Sequence, residues 1–173
     1  MDEEISIINT SSRNERIKNF FAKNKKTLIF FFSIIILIIF SSFAFKEIEN
    51  KKNKNIAEKY NEILVNFDLA NKNKYKTQFV EIINEKNSTY SPLALYFIID
   101  NEIEASNEEL NEFFDLIINE TKLDVEIKNL IIYKKGLFNS DFETENNLIK
   151  ILKPVISSDS VWKSHALYLI AEY

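Results

Sequence analysis

Residues 107–118, NEELNEFFDLII, and residues 145–156, ENNLIKILKPVI, carry the same pattern 38 residues apart. In the first, Leu110, Phe113, Phe114, Ile117 and Ile118 fall at offsets 0, 3, 4, 7 and 8. In the second, Leu148, Ile151, Leu152, Val155 and Ile156 repeat those offsets. This spacing puts five apolar side chains on one face of a helix with about 3.6 residues per turn, and a strand of period 2 would scatter them over both faces. Two amphipathic helices in the same register predict a repeated unit.

The helices between them extend the pattern. Leu95-Tyr96 matches Ile132-Tyr133 after 37 residues and Leu167-Tyr168 after a further 35. The unit is therefore a helix hairpin of 35–38 residues, near the roughly 34 of a tetratricopeptide repeat. Ile56, Tyr60, Ile63, Leu64 and Phe67 predict an earlier helix, and Tyr75, Phe79, Ile82 and Ile83 a second one. A third helix is expected from Pro92, with Ser91 as its cap, to Glu104, with Leu95, Ile98 and Ile99 inside. Asn107 is expected to cap the next, with Glu108, Glu109 and Glu112 near its positive end. Further helices are expected at Val125–Phe138, Glu143–Val155 and from Ser160 onward. Gly136 falls near the end of the first helix of a hairpin, and Pro154 in the last turn of a second helix, where a proline often ends such a unit. A hairpin buries its apolar face only against neighbours, so an array needs a capping element. Trp162, Leu167, Leu169 and Ile170 have no following partner helix, and the sequence is expected to be a fragment or a truncated product.

Composition agrees with an all-α fold and narrows the function. Among 173 residues there are no cysteines, one His, one Gly and two Pro. Thiol chemistry and disulfides are excluded, and the sequence offers too few ligands for a histidine metal site or glycines for a phosphate loop. No catalytic, cofactor-binding or metal residue is expected, and the chain is not expected to be an enzyme. His165 has no acid–base cluster beside it in sequence. Glu108, Glu109, Glu112 and Asp115 have helical rather than calcium-loop spacing, which usually marks a solvated face. An acidic chain, net charge -4, without a basic aromatic surface argues against nucleic acid.

The mean hydropathy of -0.17 averages two different regions. Thr27 to Phe45 are 19 uncharged residues, of which 14 are Leu, Ile or Phe. At ~1.5 Å per residue they reach ~28 Å, the thickness of a hydrocarbon core. Each favours insertion by ~0.3–0.6 kcal/mol, which outweighs the few Ser and Thr residues. Ser42 and Ala44 have the spacing of a signal-peptidase site, but the apolar run exceeds the ~7–15 residues of a signal peptide. An uncleaved anchor is therefore expected. The domain reading is a cytoplasmic tail at 1–26, a transmembrane helix at 27–45 and a repeat domain at 46–173.

Orientation rests on charge. Residues 1–26 hold six basic and four acidic groups, net +2, and residues 46–173 hold 16 basic and 22 acidic, net -6. Positive-inside counting near the span, six basic residues before against five after, leans slightly toward a cytoplasmic amino terminus. Residues 1–12 show no sustained period. Arg13 to Lys26 either form a short amphipathic helix, with Ile17, Phe20, Phe21 and the Lys/Arg residues at the inner membrane surface, or serve as a plain basic flank. Lys51, Lys52 and Lys54 fit either lipid headgroup contact or a solvated stalk. Asn87-Ser88-Thr89 and Asn119-Glu120-Thr121 match the glycosylation acceptor rule, a match common in a chain this rich in asparagine.

Several phrases resemble a known family. They are Ile17-Lys18-Asn19-Phe20-Phe21-Ala22-Lys23-Asn24-Lys25-Lys26 before the span and Ala57-Glu58-Lys59-Tyr60-Asn61-Glu62-Ile63 after it. Asn87-Ser88-Thr89-Tyr90-Ser91-Pro92-Leu93-Ala94 and Ser160-Val161-Trp162-Lys163-Ser164-His165-Ala166 complete the set. Together they resemble the ancillary subunit family of the bacterial Sec translocon, which shares its tetratricopeptide-like domain with a cell-division coordinator. The chain departs from that family in its poverty of alanine and glycine. The resemblance implies a bacterial inner-membrane protein with a periplasmic repeat domain. It implies as partners the translocon subunits, a membrane-anchored periplasmic chaperone and newly exported client chains. A different reading of the same repeats is an envelope adaptor in division or stress signalling. Tyr96, Tyr133 and Tyr168 recur at equivalent places and are the candidate protein-contact residues, although a tyrosine stripe at repeat spacing more often marks core.

Overall fold

The computed structural model describes residues 15–173, so the readings of residues 1–12 and of Arg13 lie outside the described residues. The described chain is all-α, without a strand. Helix α1 covers 15–23 and α2 runs Lys25–Asn66. A 3-10 segment, Leu69–Tyr75, leads into α3 (Lys76–Asn84), α4 (Tyr90–Asp100), α5 (Asn107–Glu120), α6 (Val125–Asn139), α7 (Glu145–Ile156) and α8 (Lys163–Glu172). The chain divides into two compact units at Lys51/Lys52, inside α2.

In the first unit, α2 is long and apolar enough to cross a membrane, and no residue of its apolar window is buried. The large side chains from Ile29 to Phe45 are all exposed. Burial in this chain's own core therefore does not account for their composition.

In the second unit, each helix from α3 onward packs on the next along the chain, α6 also meets α8, as α3 meets α5, and the end of α2 touches α3 through Tyr60–Phe79 and Lys59–Glu81. The 38-residue register decides what is buried. Leu110, Phe114 and Ile117 are buried in α5, and so are Leu148, Leu152 and Val155 at the equivalent places in α7. Phe113 and Ile151 are half-buried in both. The register continues backward by 35 residues, because Tyr75, Phe79, Ile82 and Ile83 are buried opposite Leu110, Phe114, Ile117 and Ile118. Three successive second helices of hairpins thus present the same side to the core. Each first helix is the one before it: the end of α2 with Ile56, Tyr60 and Ile63 buried, then α4, then α6.

Polar contacts repeat as well. Asn87 Nδ2 donates to Asn53 Oδ1 (2.7 Å), and two hairpins later Ser160 Oγ donates to Glu126 Oε2 (2.8 Å). Both pairs lie 34 residues apart, the first tying the interior of α2 to the turn before α4 and the second tying the start of α6 to the turn before α8. Lys76–Glu109 (2.7 Å) and Lys86–Glu120 (2.5 Å) join α3 to α5 at both ends. Exposed pairs of this kind contribute at most about 1 kcal/mol each, so they set register more than stability. Between α5 and α6, Asn111 and Asn139 exchange reciprocal amide hydrogen bonds of 3.0 and 2.9 Å, with Asn139 buried.

Several local expectations are corrected. The cap of α5 is Ser106, whose Oγ accepts from the Glu109 N–H (3.2 Å), and not Asn107. Ser91 lies inside α4, buried, where its Oγ donates to Ile82 O (2.7 Å) and accepts from the Asn87 N–H (2.9 Å). A serine that could cap its own helix instead fastens α4 to the end of α3. Helix α4 stops at Asp100, because Glu102 takes a left-handed φ of 49° and turns the chain so that Ile103 is buried. Helix α8 begins at Lys163, since Ser160 Oγ accepts from the Trp162 N–H (3.2 Å) in the preceding turn. In α8, Ala166 and Leu169 are buried, whereas Leu167 and Tyr168 are exposed.

Gly136 of α6 faces Leu152 of α7 at close range. A Cβ built there would stand 2.4 Å from Leu152 Cδ2 and 2.9 Å from its Cγ, so the fully buried Leu152 would have to shift. Gly136→Ala is expected to destabilise the repeat unit by about 1 kcal/mol net. Overpacking costs ~1–3 kcal/mol, and the better helix propensity of alanine returns ~1 kcal/mol. The urea midpoint of the full chain in detergent, read from its single tryptophan, Trp162, measures this.

Candidate functional site

Helices α4 and α6 are more apolar than a buried stripe requires. Leu93 to Ile99 is an unbroken apolar run, and α6 carries Ile127, Leu130, Ile131, Ile132, Tyr133, Leu137 and Phe138. One face of each helix supplies the core. The surplus emerges along their shared border, where Leu93, Ile127 and Leu137 remain exposed.

Two clefts follow that border. One, about 380 Å³, lies between Pro92 and Leu93 of α4 and Leu123, Ile127 and Leu130 of α6 and its approach. The other, about 320 Å³, is lined by Ile99, Phe114, Leu137, Phe138 and Phe142 together with the charged Asp100, Lys134 and Asp141. Tyr96 is common to both clefts, and the pair together is termed the α4–α6 groove. Lys134 Nζ lies 4.3 Å from the centre of the Tyr96 ring, a cation–π contact. The Tyr96 hydroxyl is buried without a hydrogen-bond partner, and this burial pushes its phenol well above the ordinary tyrosine value. Two larger clefts lie elsewhere: one of about 480 Å³ at Lys59–Glu81 has a predominantly polar lining, and one of about 490 Å³ around Asn111 and Asn139 mixes polar groups with Phe142 and Ile151.

The three candidate tyrosines do not share one site. Tyr96 lies in the groove. Tyr133 stacks on Trp162, with centroids 5.9 Å apart and planes at 16°, and His165 completes this aromatic cluster 5.5 Å from Trp162. Tyr168 is exposed on α8 and donates to Glu172 Oε1 (3.1 Å), which raises its phenol above the ordinary value. The groove residues Leu93, Ile127, Lys134, Leu137 and Phe142 were not among the sequence candidates. Their signal was apolar residues lying off the core face of α4 and α6.

Several of the other sequence candidates have structural partners. Glu109 pairs with Lys76 and Asp115 with Lys135, each at 2.7 Å. Lys52 pairs with Glu85 (3.1 Å) and Lys54 with Glu58 (3.8 Å). The Asn87 side chain accepts from the N–H groups of Thr89 (3.0 Å) and Tyr90 (2.9 Å) as it starts α4. Among the described residues, no group of three or more His, Asp or Glu side chains could hold a metal ion.

Comparison with known proteins finds no matching family model, no matching curated protein and no matching solved structure.

Proposed function

We propose that the chain is a membrane-anchored scaffold that binds polypeptide segments and performs no chemistry. The observation that carries this reading is the groove between α4 and α6, where Leu93, Ile127 and Leu137 stay exposed beside core residues such as Phe114 and Ile131. Leu93, Ile127 and Leu137 flank the two clefts together, and a repeat array can join such neighbouring apolar residues into an extended surface. The apolar segment of α2 supplies the anchor, and tethering raises the effective concentration of partners on the same membrane.

The resemblance of the sequence to the ancillary Sec translocon subunits makes the proposal specific. The repeat unit would stand on the periplasmic side of a bacterial inner membrane. There it would assist newly exported chains alongside the translocon and a membrane-anchored chaperone.

Capture of the tagged full-length chain from mild detergent after crosslinking tests this. Sec channel subunits are the expected partners, and division or peptidoglycan proteins in their place would favour the envelope-adaptor reading. Leu93→Glu, Ile127→Glu and Leu137→Glu together should abolish the capture. Each is exposed, so each should move the Trp162 unfolding midpoint by no more than about 0.5 kcal/mol equivalent. Undiminished capture by the folded triple variant would show that the groove is not the binding surface.

A further inference from the structure

Helix α1 is separated from α2 by one residue, Asn24, whose side-chain Nδ2 donates to Phe20 O (3.0 Å) at the junction. With about 100° between successive residues, Ile17, Phe20 and Phe21 form one stripe roughly 100° wide. All three are exposed. Arg16 and Lys23 fall along one border of the stripe and Lys18 along the other, while Glu15 and Asn19 lie on the far side. Lys25 and Lys26 follow immediately at the start of α2.

Two features of this arrangement point to the same occupant. Cations on both borders of an apolar stripe suit a helix lying flat in a headgroup layer, with rings among the acyl chains and ammonium groups reaching phosphates. A core-facing helix needs no such borders, and a protein groove would have to supply carboxylates along two parallel lines. The stripe is also continuous in sequence with the uncharged segment that begins at Thr27. We propose that α1 is an in-plane helix seated on anionic lipid headgroups of the bilayer that α2 crosses, with Asn24 as the corner between them. This rests on the reading of α2 as a membrane span.

The absence of cysteine makes single-label experiments direct. Phe20→Cys, Asn19→Cys and Ile36→Cys are made in the full chain, each labelled with an environment-sensitive fluorophore. The proteins are reconstituted in vesicles of phosphatidylcholine alone or with phosphatidylglycerol. With phosphatidylglycerol present, emission at position 20 should shift to the blue and be quenched by lipids spin-labelled near the headgroup. Position 19 should stay accessible to aqueous iodide, and position 36 should be quenched by deep spin labels in both vesicle types. Combining Arg16→Gln, Lys18→Gln and Lys23→Gln should abolish the blue shift at 20 and leave position 36 unchanged. Equal iodide access at 19 and 20, with 36 still deep, overturns the in-plane helix and spares the span. Iodide access at 36 overturns the span itself. A blue shift at 20 that is equal without phosphatidylglycerol overturns the role of anionic lipid.

Discussion

Ile35→Lys combined with Ile38→Lys is expected to move the protein from the alkali-resistant membrane fraction to the soluble fraction. A lysine at the centre of a spanning helix costs ~2.5–3.5 kcal/mol, and each lost isoleucine removes ~0.3–0.6 kcal/mol of insertion. The pair therefore opposes insertion by roughly 6–8 kcal/mol, against the ~4–8 kcal/mol that 14 Leu, Ile and Phe residues supply on the same scale. Both positions are exposed on α2, so neither substitution breaks a contact within the chain's core. Ile48→Lys, outside the uncharged segment and equally exposed, is the control and should leave the protein in the membrane. Retention of the double variant in the membrane after alkaline extraction would refute anchoring through 27–45.

Phe114→Ala should be the most damaging single change in the repeat unit. Its ring is 1% exposed and packs 5.9 Å from Phe138, so truncation leaves a cavity between α5 and α6. Loss of a buried phenylalanine costs ~3–5 kcal/mol, a fifth or more of the ~5–15 kcal/mol that holds a typical domain together. The repeat makes a sharper forecast. Leu152 occupies the equivalent place 38 residues later and is also fully buried, so Leu152→Ala should cost a comparable ~2–5 kcal/mol. Phe142→Ala, at an exposed ring, should cost far less. Urea titrations followed through Trp162 give all three numbers. A Phe114→Ala midpoint near that of the parent would mean that the shared register does not organise the core.

The positions that set this core were readable because helical period and burial coincide in α5 and α7. There the polar residues between Leu110 and Ile118 left a single apolar face, and the hairpin packed that face inward. The starts of helices were harder to read because several neighbouring residues could cap. Asn107 and Ser106 are both good caps, and only the path of the chain out of Ala105 selects the serine. Ser91 was misplaced for a related reason: a hydroxyl can bond its own helix or the one before it, and the approach of α3 and α4 decides between them. The groove was concealed because an apolar residue carries no label for core or surface. Tyr96, Tyr133 and Tyr168 look alike at repeat spacing, yet the stacking of α6 on α8 encloses one beside Trp162 and leaves another exposed.

By itself the sequence determined that the chain is helical, that one segment suits hydrocarbon, and which face of each second hairpin helix is dry. Those properties follow from the spacing of side chains along a single helix, which needs no partner to define it. Tertiary structure alone decided which apolar residues were left over. A side chain's exposure depends on whether a neighbouring helix arrives within packing distance, and that neighbour is fixed by how successive hairpins stack rather than by local spacing. The close approach at Gly136, the fastening at Ser91 and the groove flanking Tyr96 all arise at those junctions between helices.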